Sequence, residues 1–150
     1  MRVGPYTIYA AGGSQLSEDR ADEFDILIPL SDLFGHLEAE DHVVVECHLP
    51  DFGGVPEDWR EILEQRIIPL LERCEQTGEK AVCYCHAGHG RTGTLLASLI
   101  ALLESEKETP DPIVAVRERH CSHAVETRTQ AEGIFALRGQ EVPEGHSFHY

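Results

Sequence analysis

One segment constrains this chain more than any other. A short apolar run, Lys80 to Tyr84, enters a loop bearing Gly88 and Gly90, which opens into Leu95 to Leu103, apolar on nearly every face. The first run reads as a strand and the last as a buried helix. Strand, tight loop and helix in that order aim backbone N–H groups and a helix N-terminus at one point in space. An anion fits there, and so does a thiolate.

The residue types inside the loop sharpen this reading. Cys85 stands at its start, where loop amides and a helix N-terminus favour the thiolate, the form of cysteine that acts as a nucleophile. Arg91 stands at its end, and a curled loop returns that guanidinium to the same pocket, where its planar fork suits a tetrahedral oxyanion. Gly88 and Gly90 let the amides turn inward, so His86, Ala87, Gly88, His89, Gly90 and Arg91 form the expected phosphate cradle. Thr92 brings a hydroxyl on the first helical turn within reach of the sulfur.

Cys85 to Arg91 matches the Cys-x5-Arg loop of the cysteine-dependent protein tyrosine phosphatase superfamily, and Ala87-Gly88-x-Gly90-Arg91-Thr92-Gly93 extends the match. The size and the flanking segments resemble a compact dual-specificity phosphatase. One residue departs from the pattern: such enzymes usually carry histidine just before the nucleophile, and this chain has Tyr84 there. The resemblance implies a phosphomonoester hydrolase that works through a cysteinyl-phosphate intermediate without metal or other cofactor. Phosphotyrosine proteins are the first expected substrates, with phosphoserine or phosphothreonine beside them. A phosphoinositide or another small phosphate ester is the alternative.

That chemistry needs an acid for the departing oxygen, and a carboxyl on a mobile loop can supply it. His48-Leu49-Pro50-Asp51-Phe52-Gly53-Gly54-Val55-Pro56 is such a loop by its Pro and Gly content. The resembled family carries an aspartate on a loop upstream of the nucleophile, commonly after proline, and Asp51 is the match. Glu57 and Asp58 are the competing carboxyls. The family also uses a glutamine near its final helix to position the hydrolytic water, and Gln130 is the nearest match here. Yet Thr127-Arg128-Thr129-Gln130 also reads as a capping box, in which that glutamine serves only the helix end.

Other clusters carry less. His86 and His89 either bias substrate choice, at places where phosphoinositide phosphatases often carry lysine, or only shape the rim. Arg119-His120-Cys121-Ser122-His123 reads as surface rather than as a metal site, since it lacks matching partners elsewhere. Cys83 and Cys121 read as packing residues, with a protective disulfide to Cys85 as the other use. A sulfurtransferase would share the cysteine loop but has no use for Asp51. A non-catalytic phosphate-binding module would be expected to lose Cys85, Arg91 or Asp51, and all three are present.

Composition sets the outer limits. A length of 150 residues suits one catalytic domain over 1–150, with 140–150 as a loose tail. The net charge of −15 argues against nucleic acid and anionic membranes as partners. Attraction for a phosphate ester then has to be local, from Arg91, the loop amides, and Arg117, Arg119 or Arg128. No run is long enough for membrane insertion, the start lacks a signal-peptide core, and a nucleophilic thiol suits a reducing, cytoplasmic setting.

The remaining chain alternates. Strands are expected over 6–10, 24–30, 42–48 and 80–84, with a helical turn from Ser31 toward Leu37. Helices are expected over 57–76, kinked at Pro69, from Asp111 as N-cap with Pro112 at the first position, and from Thr127 to Gly139. The implied fold is α/β: a central, mostly parallel sheet of four to five strands flanked by helices on both faces.

Overall fold

The computed structural model describes residues 1–12, 22–31, 43–50, 53–85 and 89–148. The strands are β1 (Arg2–Val3), β2 (Tyr6–Thr7), β3 (Tyr9–Gly12), β4 (Ile26–Pro29), β5 (Val43–Val44) and β6 (Ala81–Cys85). The helices are α1 (Trp59–Ile62), α2 (Ile68–Thr77), α3 (Gly90–Leu103), α4 (Pro112–Arg119) and α5 (Arg128–Ala136), with a π-helical turn over Leu63–Ile67. The expected turn toward Leu37 falls outside the described residues.

The main sheet is four-stranded in the order β3-β6-β4-β5, and every pairing in it is parallel. The α/β class therefore stands, at the lower end of the expected strand count. All five residues of β6 are buried, as an apolar central strand of a parallel sheet requires. Its side chains alternate. Ala81, Cys83 and Cys85 enter the large core with Ile26, Ile28 and the apolar sides of all the described helices. Val82 and Tyr84 join Leu27 in a smaller cluster on the opposite face, with Phe24 and Ala11 packed against it.

Three local departures have physical causes. The expected first strand over 6–10 divides at Ile8. Tyr6–Thr7 pairs antiparallel with Arg2–Val3, while Tyr9 onward pairs with β6. The N-terminal ammonium donates to the Ile8 carbonyl at 2.9 Å and Ile8 N–H returns a bond to Met1, so Ile8 belongs to the small hairpin. The strand expected over 42–48 is regular only at Val43–Val44. Beyond it, Val45 and Cys47 still donate to Leu27 and Pro29 carbonyls, but Pro29 has no N–H to answer with.

The third departure is in the long helix over 57–76. Its kink takes the form of a π turn ahead of Pro69. Ile68 N–H reaches Leu63 O, widening the helix where proline removes the next donor. An apolar stripe along it faces inward, with Trp59, Leu63, Ile67, Leu71 and Cys74 buried. Trp59 Nε1 donates to the buried Ser98 Oγ at 2.9 Å and ties α1 to α3.

Helix α3 is buried from Gly90 to Ala101, as a helix apolar all round must be. Leu95, Leu96, Leu99 and Ile100 are each fully buried, worth about 1.5–3 kcal/mol apiece. At its far end Arg138 binds the carbonyls of Ala101, Glu104 and Thr109. Asp111 caps α4 through Ile113 and Val114 N–H, with Pro112 in the first turn, as the sequence predicts. The tail differs from expectation up to residue 148. His146 Nε2 meets Asp111 Oδ2 at 2.7 Å and Arg117 Nη2 donates to Ser147 O at 3.0 Å. Phe148 lies under the same guanidinium, which gives these residues apolar and polar partners that periodicity cannot reveal.

Candidate active site

Cys85 ends β6. Gly12 is its register partner in β3, and Pro29 of β4 pairs with the preceding Tyr84. The sulfur thus stands at the carboxyl ends of parallel strands, where open α/β sheets hold their ligands. Helix α3 begins at Gly90, so Arg91 and Thr92 lie in its first turn, 8% and 0% exposed. Thr92 Oγ1 donates to Cys85 Sγ at 3.0 Å. Strand end, helix start and hydroxyl therefore meet at the sulfur, and Arg91 lies in the same helical turn as Thr92. Asp51, His86, Ala87 and Gly88 lie outside the described residues.

The start of α3 is packed by the segment before α5. A Cβ on Gly93 would lie 2.7 Å from Val125 N and 2.9 Å from Ala124 Cα, so only glycine permits this approach. Val125 N–H and Gly93 N–H both donate to His89 O. Val125 itself has φ +64, a left-handed conformation that a β-branched residue adopts only when its surroundings impose it. Arg117 imposes it, with Nε on Ala124 O at 2.9 Å and Nη2 on Val125 O at 3.0 Å. Arg117 thus serves the backbone that packs against the start of α3. Arg119 is occupied elsewhere, by Glu104 at 2.7 and 2.8 Å. Arg128 is exposed, 3.8 Å from Glu132.

Gln130 makes the predicted capping box: its N–H bonds Thr127 Oγ1, and its Oε1 accepts from Thr127 N and Glu126 N. The amide's other end faces Gly90, because a Cβ there would lie 3.2 Å from Gln130 Nε2. It would lie 2.5 Å from Glu126 Oε1, a carboxylate that sequence reasoning did not single out. The one available signal was its place beside the capping box.

Both flanks of Asp51 are anchored. Upstream, Leu49 N–H donates to Leu30 O at 3.0 Å. Downstream, a Cβ on Gly54 would lie 2.9 Å from Thr129 Cγ2, and one on Gly133 would lie 2.6 Å from Val55 Cγ2. The segment after Asp51 therefore rests on α5, the same helix whose first turn faces Gly90. Glu57 and Asp58 are exposed.

His89 turns to other side chains: Nδ1 lies 3.2 Å from Cys121 Sγ and the ring contacts His123 edge-on at 5.6 Å. Among the described residues no group of three His, Cys, Asp or Glu side chains is arranged to hold a metal ion. None of the five cysteines is in a disulfide. Burial pushes the Cys83 thiol well up, with Cys85 adding to the effect, and raises Cys47 to about 11. These two behave as apolar packing. No helix among the described residues is long and apolar enough to cross a membrane.

Residues 39–135 match the protein-tyrosine phosphatase family model, and the chain belongs to that family. Two uncharacterized proteins of Methanocaldococcus jannaschii are 41% and 46% identical to it, each over 68 residues. Those matches cover 45% of this chain but only 44% and 40% of the relatives, less than half of either. Among solved structures, Tk-PTP in its active form superposes with a TM-score of 0.66 at 24% identity, covering 87% of this chain and 89% of that one. Kinase associated phosphatase gives 0.59 at 17% identity, covering 81% and 75%. PTPMT1 in complex with PI(5)P gives 0.57 at 17%, covering 85% and 83%. At these identities the likeness is one of fold.

Proposed function

We propose that this chain hydrolyses phosphate monoesters through a phosphocysteine on Cys85, acting first on phosphotyrosine and then on other phosphorylated protein side chains. The observation that carries this reading is the Thr92 Oγ1 to Cys85 Sγ hydrogen bond at 3.0 Å, made at the head of a buried helix that also carries Arg91. A thiolate there has a donor to hold its charge, and a guanidinium in the same turn offers two parallel donors to phosphate oxygens.

Cys85 attacks phosphorus, forming the S–P bond as the ester P–O bond breaks. Arg91 and the amides of His86, Ala87, Gly88, His89, Gly90 and Arg91 hold the equatorial oxygens. Asp51 gives its proton to the departing alkoxide or phenoxide. Water then attacks the phosphocysteine and Asp51 takes a proton back. The sulfur leaves as a thiolate with its electron pair, accepting the Thr92 hydrogen bond, and inorganic phosphate is released. A reducing cytoplasmic setting suits a mechanism that needs the thiol.

A second reading, a phosphoinositide or other small phosphate ester, draws on the His89–His123 contact, which gathers two imidazoles at the rim. A panel of phosphotyrosine and phosphothreonine peptides, a phosphoinositide and thiosulfate separates these readings. Highest kcat/KM on phosphotyrosine supports the first and preference for the lipid headgroup supports the second. Cyanide-dependent turnover of thiosulfate alone contradicts both.

A further inference from the structure

Residues 146–148 lie far along the chain from Cys85, yet they close on Arg117. His146 Nε2 meets Asp111 Oδ2 at 2.7 Å, while Asp111 Oδ1 caps the start of α4. The His146 ring also lies beside Phe135 of α5, with ring centroids 6.5 Å apart. The chain then delivers Ser147 O to Arg117 Nη2 at 3.0 Å and sets the Phe148 ring centroid 5.6 Å from the guanidinium carbon. An aromatic face at that distance attracts a cation.

Arg117 in turn fixes both peptide planes that flank Val125. Its Nε donates to Ala124 O at 2.9 Å, and the two hydrogens of Nη2 serve Val125 O and Ser147 O. A peptide is planar and trans, so its carbonyl and its N–H point opposite ways. With the Ala124 oxygen held by Arg117, the Val125 N–H of the same plane is aimed at His89 O, 3.3 Å away. That carbonyl also receives Gly93 N–H at 2.9 Å. Two donors on His89 O hold the His89–Gly90 plane and so set the direction of Gly90 N–H. That N–H is one of the amides expected to bind phosphate.

We propose that His146 and Phe148 are positioning residues of the active site, strapping Arg117 so that the relay through Val125 and His89 keeps Gly90 N–H turned toward phosphate. This rests on the phosphatase reading above and brings in a part of the chain that reading does not use. Without the strap, the guanidinium loses one carbonyl and its aromatic face, and water competes for its donors. Val125, whose branched side chain disfavours a left-handed backbone, then relaxes and withdraws its N–H from His89 O. No strap residue touches substrate.

The test compares the full chain with Phe148→Ala, Phe148→Trp and His146→Ala, and with Phe148→Ala added to Arg117→Met. In Phe148→Ala, kcat/KM for 4-nitrophenyl phosphate should fall roughly 10-fold, the value of one hydrogen bond to a charged group. Inhibition by inorganic phosphate should weaken by a similar factor, and the loss should be equal for good and poor leaving groups. His146→Ala should act in the same direction, and Phe148→Trp, which keeps an aromatic face, should recover most of the rate. Amide hydrogen exchange at Val125 and Gly93 should quicken about 10-fold in Phe148→Ala while the β6 amides stay as in the parent. In the Arg117→Met background Phe148→Ala should cost no further rate, because both act through one guanidinium. Faster exchange spread evenly over β6 and α3, a Trp variant no better than Ala, or additive losses in the double variant would each overturn the inference. Parent-like rates and exchange in Phe148→Ala and His146→Ala would do the same. A parent inactive on every phosphate ester would overturn the phosphatase reading, and exchange at Val125 and Gly93 would then decide the relay alone.

Discussion

Thr92 Oγ1 donates to Cys85 Sγ at 3.0 Å, and neither side chain has appreciable contact with solvent. The bond joins the last residue of a central strand to the first turn of the helix that follows. In the proposed mechanism this donor serves the sulfur both before attack and as the leaving group of the second step. Thr92→Ala should lower kcat by roughly 10-fold, the value of one hydrogen bond to a charged group. Thr92→Ser should retain most of the activity. Steady-state rates for the two variants check this, and equal losses would mean that Thr92 acts through packing of its methyl group.

Asp51→Ala should reduce turnover of an alkyl or phenyl phosphate by roughly 10²- to 10⁴-fold, the usual worth of a positioned general acid. With 4-nitrophenyl phosphate the loss in kcat/KM should shrink sharply. A plot of log kcat/KM against leaving-group pKa should steepen in the variant. An unchanged slope would move the acid to Glu57 or Asp58.

Gly133 receives Val55 so closely that a new methyl group would meet Val55 Cγ2 at 2.6 Å. Gly133→Ala should therefore push the segment that follows Asp51 off α5, costing about 1–3 kcal/mol of stability by overpacking. It should also act as a weaker Asp51→Ala, lowering kcat/KM more for poor leaving groups than for good ones. A uniform loss across leaving groups would separate the packing of α5 from the placing of the acid.

Glu104 anchors the N-terminal hairpin. It receives two donors from Arg119, the Thr109 hydroxyl, and Gly4 N–H at 3.0 Å. Arg119 is the main reason its carboxyl is held down to about 2, against the opposing effect of burial. The folded state thus binds this proton less readily than the unfolded chain. The contribution is complete above the unfolded value of 4.5 and is lost as pH falls through the folded value of about 2. Glu104→Gln should cost roughly 1 kcal/mol at neutral pH, allowing for solvent screening of the pair. Thermal unfolding from pH 7 to 2 should show the gap between parent and variant closing below about pH 4.5. A constant gap would assign the effect to shape rather than charge.

What the sequence made legible is what local rules govern. Asp111 and Pro112 announce a helix start, Thr127 and Gln130 announce a capping box, and the apolar run after Gly93 announces a buried helix. The proximity of Cys85 and Thr92 was legible for the same reason, because the two lie within a few residues of one another across one strand–helix connection. The π turn before Pro69 and the short β5 were not, since each depends on how a missing proline donor is absorbed. Glu126 was hidden more deeply. Its relation to Gly90 is purely tertiary, made by the close approach of the segment before α5 to the glycine-rich start of α3. Arg117 looked like a source of attraction for substrate, yet Ala124, Val125 and Ser147 carbonyls use its donors, a fact that charge counting cannot supply.

The most direct test of the account is to trap the intermediate. The parent enzyme, acid-quenched within its first turnovers of 4-nitrophenyl phosphate, should gain the mass of one phosphoryl group, and peptide mapping should place it on Cys85. Cys85→Ser should show no turnover and no thiol-linked adduct, yet still bind phosphate esters through Arg91 and the loop amides. An adduct on another residue, or near-normal turnover by Cys85→Ser, would contradict the covalent mechanism outright.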